Sequence, residues 1–98
     1  MDIKYKSKKL ETICTNYSEA KKKYGQAMAA KIHLRIDQLK AVENVETMIN
    51  SKIGRCHLLN PKEDRRYALD LEGLYRLVFS KEGGKVQVVC IEEIVDYH

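Results

Sequence analysis

Aromatic side chains are scarce in this sequence: six tyrosines, one phenylalanine and no tryptophan make up 7% of its 98 residues. Modules that grip single-stranded RNA by stacking need a row of exposed rings, so this composition argues against that design. Cysteine is sparser still. Cys14, Cys56 and Cys90 are an odd number without a CxxC pair, and with no apolar signal segment ahead of them the expected compartment is the reducing cytoplasm. Cys56 stands beside His57, but no second Cys or His lies at zinc-ligand spacing, so neither a metal nor another cofactor is expected. No run approaches the roughly 18 apolar residues needed to cross a bilayer, so no membrane role is expected and the protein should be soluble. Proline occurs once, at Pro61, and there are no repeats, low-complexity tracts or linkers. A chain of this length builds one core, hence a single domain over residues 1–98.

What is present is periodic. Asp2 to Lys6 alternates polar and apolar and reads as a short strand at a sheet edge or across one face. Ser7 can cap a helix whose apolar stripe is Leu10, Ile13, Cys14 and Tyr17. Ser18 is the next cap candidate, for a long amphipathic helix through Val42 carrying Tyr24, Met28, Ile32, Ile36 and Leu39, with a bend or break near Gly25. Asn44 can cap a last helical turn before Gly54.

Beyond Gly54 the period becomes that of strands. His57 to Leu59, Tyr67 to Leu71, Leu74 to Phe79 and Val86 to Ile91 are separated by the polar loop Asn60–Asp64 and by turns at Glu72-Gly73 and Glu82-Gly83-Gly84. The expected fold is α+β, with an N-terminal strand and two helices packed on one face of a small, mainly antiparallel sheet. Tyr75, Leu77 and Phe79 share a face; if helices cover it, Arg76 lies on the face left open.

Chemistry-bearing side chains collect in this second half. Asp96, Tyr97 and His98 place a carboxylate, a phenol and an imidazole at the end of an apolar, β-branched stretch that should order them. His57 follows Lys52, Gly54 and Arg55, while Arg65, Arg66 and Arg76 lie on segments of the same sheet. Cleaving RNA with its own 2'-hydroxyl requires a base, an acid and cations around the phosphorane, and no metal. Two imidazoles can fill the acid and base roles near neutrality. Asp96 and the α-carboxylate favour an imidazolium at His98, which suggests His98 as acid and His57 as base; Tyr97, of opposite parity, could take one role or stack on a base. Each residue has a plainer reading: His57 as a strand-edge histidine, Arg76 as a solvated sheet residue, Asp96 and His98 as a polar terminus. Lys21, Lys22 and Lys23 read as a solvated helix face, and His33 as plain surface.

Gly54-x-x-His57-x-Leu59, Asp64-Arg65, Tyr75-Arg76-Leu77 and the closing Asp96-Tyr97-His98 together resemble the HigB-type toxins of the RelE/ParE superfamily. The resemblance covers residues 52–98 by motif and the helical part by architecture alone. It implies the toxin of a type II toxin-antitoxin system, an endoribonuclease that cuts mRNA on the 70S ribosome and is silenced by a HigA-type antitoxin with a DNA-binding domain. By position it implies that His57, Asp96, Tyr97 and His98 are residues on which activity depends, and that Arg76 is a basic residue of the active face; Lys52, Arg55, Arg65 and Arg66 would bind the RNA backbone. This chain departs from the usual His-Pro-Leu-x-Gly-Asp-Arg between His57 and Arg65, where the loop is longer, lacks the glycine and carries its proline at Pro61. The alternative within the superfamily is a non-enzymatic, ParE-like inhibitor of a protein target such as DNA gyrase.

Overall fold

The structure, a computed structural model, describes residues 1–60 and 64–97. Strand β1 (Asp2–Tyr5) leads into helices α1 (Lys8–Thr15), α2 (Tyr17–Tyr24) and α3 (Gln26–Ala41), then the short α4 (Val45–Asn50). A 3-10 turn over Ile53–Arg55 precedes β2 (His57–Asn60), β3 (Asp64–Asp70), β4 (Tyr75–Glu82) and β5 (Val88–Asp96). The five strands form one sheet in the order β1-β5-β4-β3-β2. All neighbours are antiparallel except β1, which joins the edge parallel to β5. The α+β architecture expected from the sequence is therefore present.

Local chemistry explains where the helices begin and end. The Ser7 hydroxyl accepts from the Leu10 N–H at 3.1 Å, and the Asn44 side chain caps α4 by accepting from the Thr47 N–H at 2.8 Å. At α2 the cap is Asn16 rather than Ser18: its Oδ1 accepts from the Glu19 N–H, and the amide has the reach and extended backbone the position needs. Of the bend or break expected near Gly25 the structure shows a break: Gly25 takes φ +91° and ends α2 before α3 starts. The last two strands run further than their sequence limits, to Glu82 and Asp96, since cross-strand pairing carries polar residues along. Part of the expected loop after Asn60, residues 61–63, lies outside the described residues.

The core lies between the helices and one face of the sheet. Cys14, Ile32, Leu39 and Met48 of the helices meet Leu69, Leu77, Phe79, Val89 and Ile91, all buried. Tyr67 stacks on Phe79 with ring centroids 5.5 Å apart. Burial pushes the thiols of Cys14 and Cys56 up to about 12 and about 11, so both act as small apolar side chains. One polar residue is buried deliberately. The Gln87 side chain accepts from the Val45 N–H at 2.9 Å and donates to Glu46 and to the Gly84 carbonyl, which ties α4 to the β4–β5 turn.

Candidate nucleic-acid face

The opposite face of the sheet carries the polar chemistry, and strand register fixes what stands beside what. Residues paired across strands share a face, so His57, Ala68, Val78 and Glu93 form one row across four strands. Asp70, Arg76 and Val95 form the next row, and Arg66, Ser80, Cys90 and Lys4 another. Leu77 and Phe79 point into the core between Arg76, Val78 and Ser80, as the alternation in β4 predicts.

At the β3–β4 hairpin end of this face two guanidiniums converge on Asp70. Arg76 Nε donates to Asp70 Oδ1 at 2.9 Å, and Arg76 Nη1 donates to the Tyr75 carbonyl at 3.0 Å. Arg55 meets the same carboxylate with its fork, Nε to Oδ2 and Nη2 to Oδ1 at 3.3 Å. Hydrogen bonding to Asp70, and then its charge, raise the Arg55 pKa above its already high value. Behind the sheet, Arg35 of α3 donates through Nε to the Asp70 carbonyl at 2.7 Å and through Nη1 to Gln38 at 2.9 Å.

The turn that delivers Arg55 is backbone-strained. Lys52 and Arg55 adopt φ of 56° and 50°, and Gly54 between them has φ 58°. A Cβ on Gly54 would approach the Arg35 guanidinium to 2.9 Å and Leu69 Cδ2 to 3.0 Å, so a side chain there would be strained in its left-handed φ and would have to displace Arg35. Left-handed φ at two non-glycine residues beside a polar cluster is a feature that concentrates at functional sites.

His57 opens β2 directly after this turn and is exposed. Its Nδ1 lies 2.7 Å from the Arg55 carbonyl oxygen. A carbonyl can only accept, so Nδ1 carries the hydrogen and Nε2 of the neutral ring is left with the lone pair, the tautomer a general base needs. The other described histidine, His33, packs edge-on against Tyr17 in the helical layer, ring centroids 5.7 Å apart.

The remaining sequence-predicted residues are distributed as follows. Arg66 is on the open face and reaches Glu93 at 3.3 Å, whereas alternation places exposed Arg65 on the side of Tyr67. Lys52 is exposed on the strained turn. Asp96 pairs with Tyr75 and so falls on the helix side, where it helps line an apolar cleft of about 480 Å³ with Tyr24, Met28 and Leu74. Tyr97 continues the strand through its N–H to the Leu74 carbonyl at 3.0 Å; alternation puts its exposed ring on the side of Val95 and Arg76. His98 lies outside the described residues. The structure thus brings His57, Arg55 and Arg76 together. It puts Asp96 across the sheet from them, and β5 is three strand spacings from β2, about 14 Å between backbones.

Asp70 and Arg35 were not singled out from sequence. Asp70 had a readable signal: Asp70 and Arg76 are equidistant from Gly73, so a tight hairpin there sets opposite charges face to face. Arg35 had none, because nothing in the helix pattern says which arginine will reach a particular carbonyl. Among the described residues no group of three His, Cys, Asp or Glu could hold a metal ion, and no helix is long and apolar enough to cross a membrane.

No family model matches the chain, and no curated protein matches it significantly in sequence. Its fold is similar to that of a solved toxin structure. The solved structure of a YoeB/ParE toxin from Agrobacterium tumefaciens superposes with a TM-score of 0.59 over 100% of both chains at 12% sequence identity.

Proposed function

We propose that this chain is the toxin of a type II toxin-antitoxin pair, of the HigB kind, and that it cleaves mRNA on the ribosome as a metal-independent endoribonuclease. The observation that carries this reading is His57: an exposed imidazole with its tautomer set by the Arg55 carbonyl, beside the Arg55–Asp70–Arg76 cluster on the uncovered face of a toxin-type sheet. His57 Nε2 takes the 2'-hydroxyl proton as that oxygen attacks phosphorus. The 5'-oxygen leaves with a proton from an acid, and a 2',3'-cyclic phosphate remains. The guanidiniums of Arg76 and Arg55 face the charge that builds on the phosphorane. Lys52 and Arg66 hold the RNA backbone further out, whereas Arg65, on the side of Tyr67, does not face it.

The acid is assigned to the chain end, with His98 the donor and Asp96 and Tyr97 its neighbours. In this arrangement the scissile phosphate lies over β4, between His57 on β2 and the end of β5. A cognate antitoxin of the HigA type would hold the activity in check in the cytoplasm.

The test is to incubate the protein with translating ribosomes and map new mRNA ends. Cleavage by the parent chain, lost in His57→Ala, is expected. Intact mRNA with the parent chain would sink the nuclease reading, and inhibition of gyrase supercoiling would then establish the ParE-like alternative. One observation favours that alternative: Asp96 is on the helix side of the sheet, away from His57.

A further inference from the structure

A carboxylate on a face meant for phosphate looks counterproductive, since Asp70 cancels one of the two positive charges beside it. Its geometry suggests another task. Arg76 is held by packing, with its side chain 14% exposed, but Arg55 is 70% exposed at the end of a left-handed turn and would otherwise sample many rotamers. Asp70 receives Arg55 side-on through Nε and Nη2 and Arg76 through Nε, which brings both guanidiniums onto the edges of one carboxylate. Each guanidinium has five N–H donors. Arg55 spends two on Asp70, and Arg76 spends one on Asp70 and one on the Tyr75 carbonyl, which leaves three on each beyond these bonds.

Asp70 is itself held firmly. It stands on β3 directly opposite Arg76, and its carbonyl is bonded from behind by Arg35. Arg35 in turn occupies the space that a side chain at position 54 would fill, so the helix layer, the strained turn and the open face are joined through one residue.

We propose that Asp70 is a positioning residue that locks Arg55 and Arg76 into a single two-guanidinium cradle for an RNA phosphodiester. This deepens the nuclease reading and rests on it for the identity of the ligand. Orientation therefore outweighs the charge that Asp70 cancels, and that makes the sign of its mutational effect diagnostic. Asp70→Asn raises the net charge of the face by one, so if charge alone governed binding the variant would bind RNA more tightly, with a steeper salt dependence. A cradle predicts the reverse.

The experiment measures binding of a 2'-O-methyl oligoribonucleotide, which cannot be cleaved, by fluorescence anisotropy at several salt concentrations, with thermal unfolding followed in parallel. Asp70→Asn is expected to weaken binding about tenfold, the worth of one oriented charge-assisted hydrogen bond, and Asp70→Glu to recover part of the loss. Arg55→Lys, at an exposed position, keeps the charge but loses the fork. It should weaken binding to a similar degree and add little on top of Asp70→Asn. Binding by Asp70→Asn that equals or exceeds the parent's, parental binding by Arg55→Lys, or no binding by the parent at low salt would each overturn the proposal. Cleavage of mRNA by the parent is read separately. Weakened binding in the variants without parental cleavage keeps the cradle and removes the nuclease, whereas parental cleavage with tight-binding Asp70→Asn does the opposite.

Discussion

The two faces of the sheet are made by the same strands and obey opposite rules. On the covered face Leu69, Leu77, Phe79, Val89 and Ile91 are buried in one cluster with residues of the helices, and position matters because volume must be filled. On the open face Asp70, Arg76, Arg66 and His57 are set by pairing register and by hydrogen bonds to one another and to backbone carbonyls. Successive residues of β4 alternate between the two regimes, so a single substitution there tests one face or the other. Stability resides on one side, and by the proposal made above chemistry resides on the other.

The sharpest separation is expected from His57→Ala. Loss of a general base should cut ribosomal mRNA cleavage by about 10²- to 10⁴-fold. Because His57 is exposed, its thermal unfolding should stay close to the parent's. Both measured on one preparation would divide activity from stability; a variant that cleaves normally would break the division. Phe79→Ala, on the covered face, should show the inverse pattern, costing about 3–5 kcal/mol in chemical denaturation through the cavity it leaves.

These two residues also mark how far the sequence could be read. Phe79 and Leu77 announce their face through alternation with Arg76, and the glycine turns announce the meander, so the sheet and its open side were legible. His57 and Arg76 were legible as candidates because imidazole and guanidinium chemistry is written in residue type. Legibility ended where geometry depends on the third dimension. The break at Gly25 was open to either outcome, the Asn16 cap depended on a local backbone angle, and Asp96 changed sides with the pairing register. Asp96 falls opposite Tyr75 because β5 takes one extra residue, near Glu92, between its pairings with Phe79 and Val78. A parity count along the strand from its apolar residues has no means of seeing such a bulge.

A smaller effect is expected where the faces are coupled. Gly54→Ala forces a left-handed φ on a side chain and presses on Arg35, so it should cost about 1–3 kcal/mol in denaturant unfolding. It should also lower RNA affinity, because displacing Arg35 frees Asp70. Loss of stability with fully retained affinity would show that the helix layer does not support the cluster.

The smallest effect concerns acid. Hydrogen bonds from Lys81, from its own backbone and from Gln87 pull the Glu46 carboxyl down to about 2 from an ordinary 4.5. A group whose folded pKa is depressed stabilises above its unfolded value and loses that contribution as pH falls through the window between the two, here about 4.5 to 2. Glu46 is more than half exposed, so screening keeps the contribution modest. Glu46→Gln should flatten the pH dependence of the unfolding midpoint across this window and leave cleavage at neutral pH unchanged. An equally steep acid transition in the variant would place the acid sensitivity elsewhere.

The parallel pairing of β1 with β5 has a kinetic consequence. β3, β4 and β5 are joined by short turns and can zip as consecutive hairpins, whereas Ile3 meets Val89 only after the intervening chain has been gathered in. Closing so long a loop carries a large entropic cost and returns a four-residue strand, so β1 is expected to dock late and to open first in native-state hydrogen exchange. Uniform protection across β1 and β4 would refute that order. His57, Asp70 and Arg76 stand on β2, β3 and β4, so the proposed catalytic surface would be assembled by the fast, local part of the folding reaction, with the edge strand acting as a latch that closes over finished work.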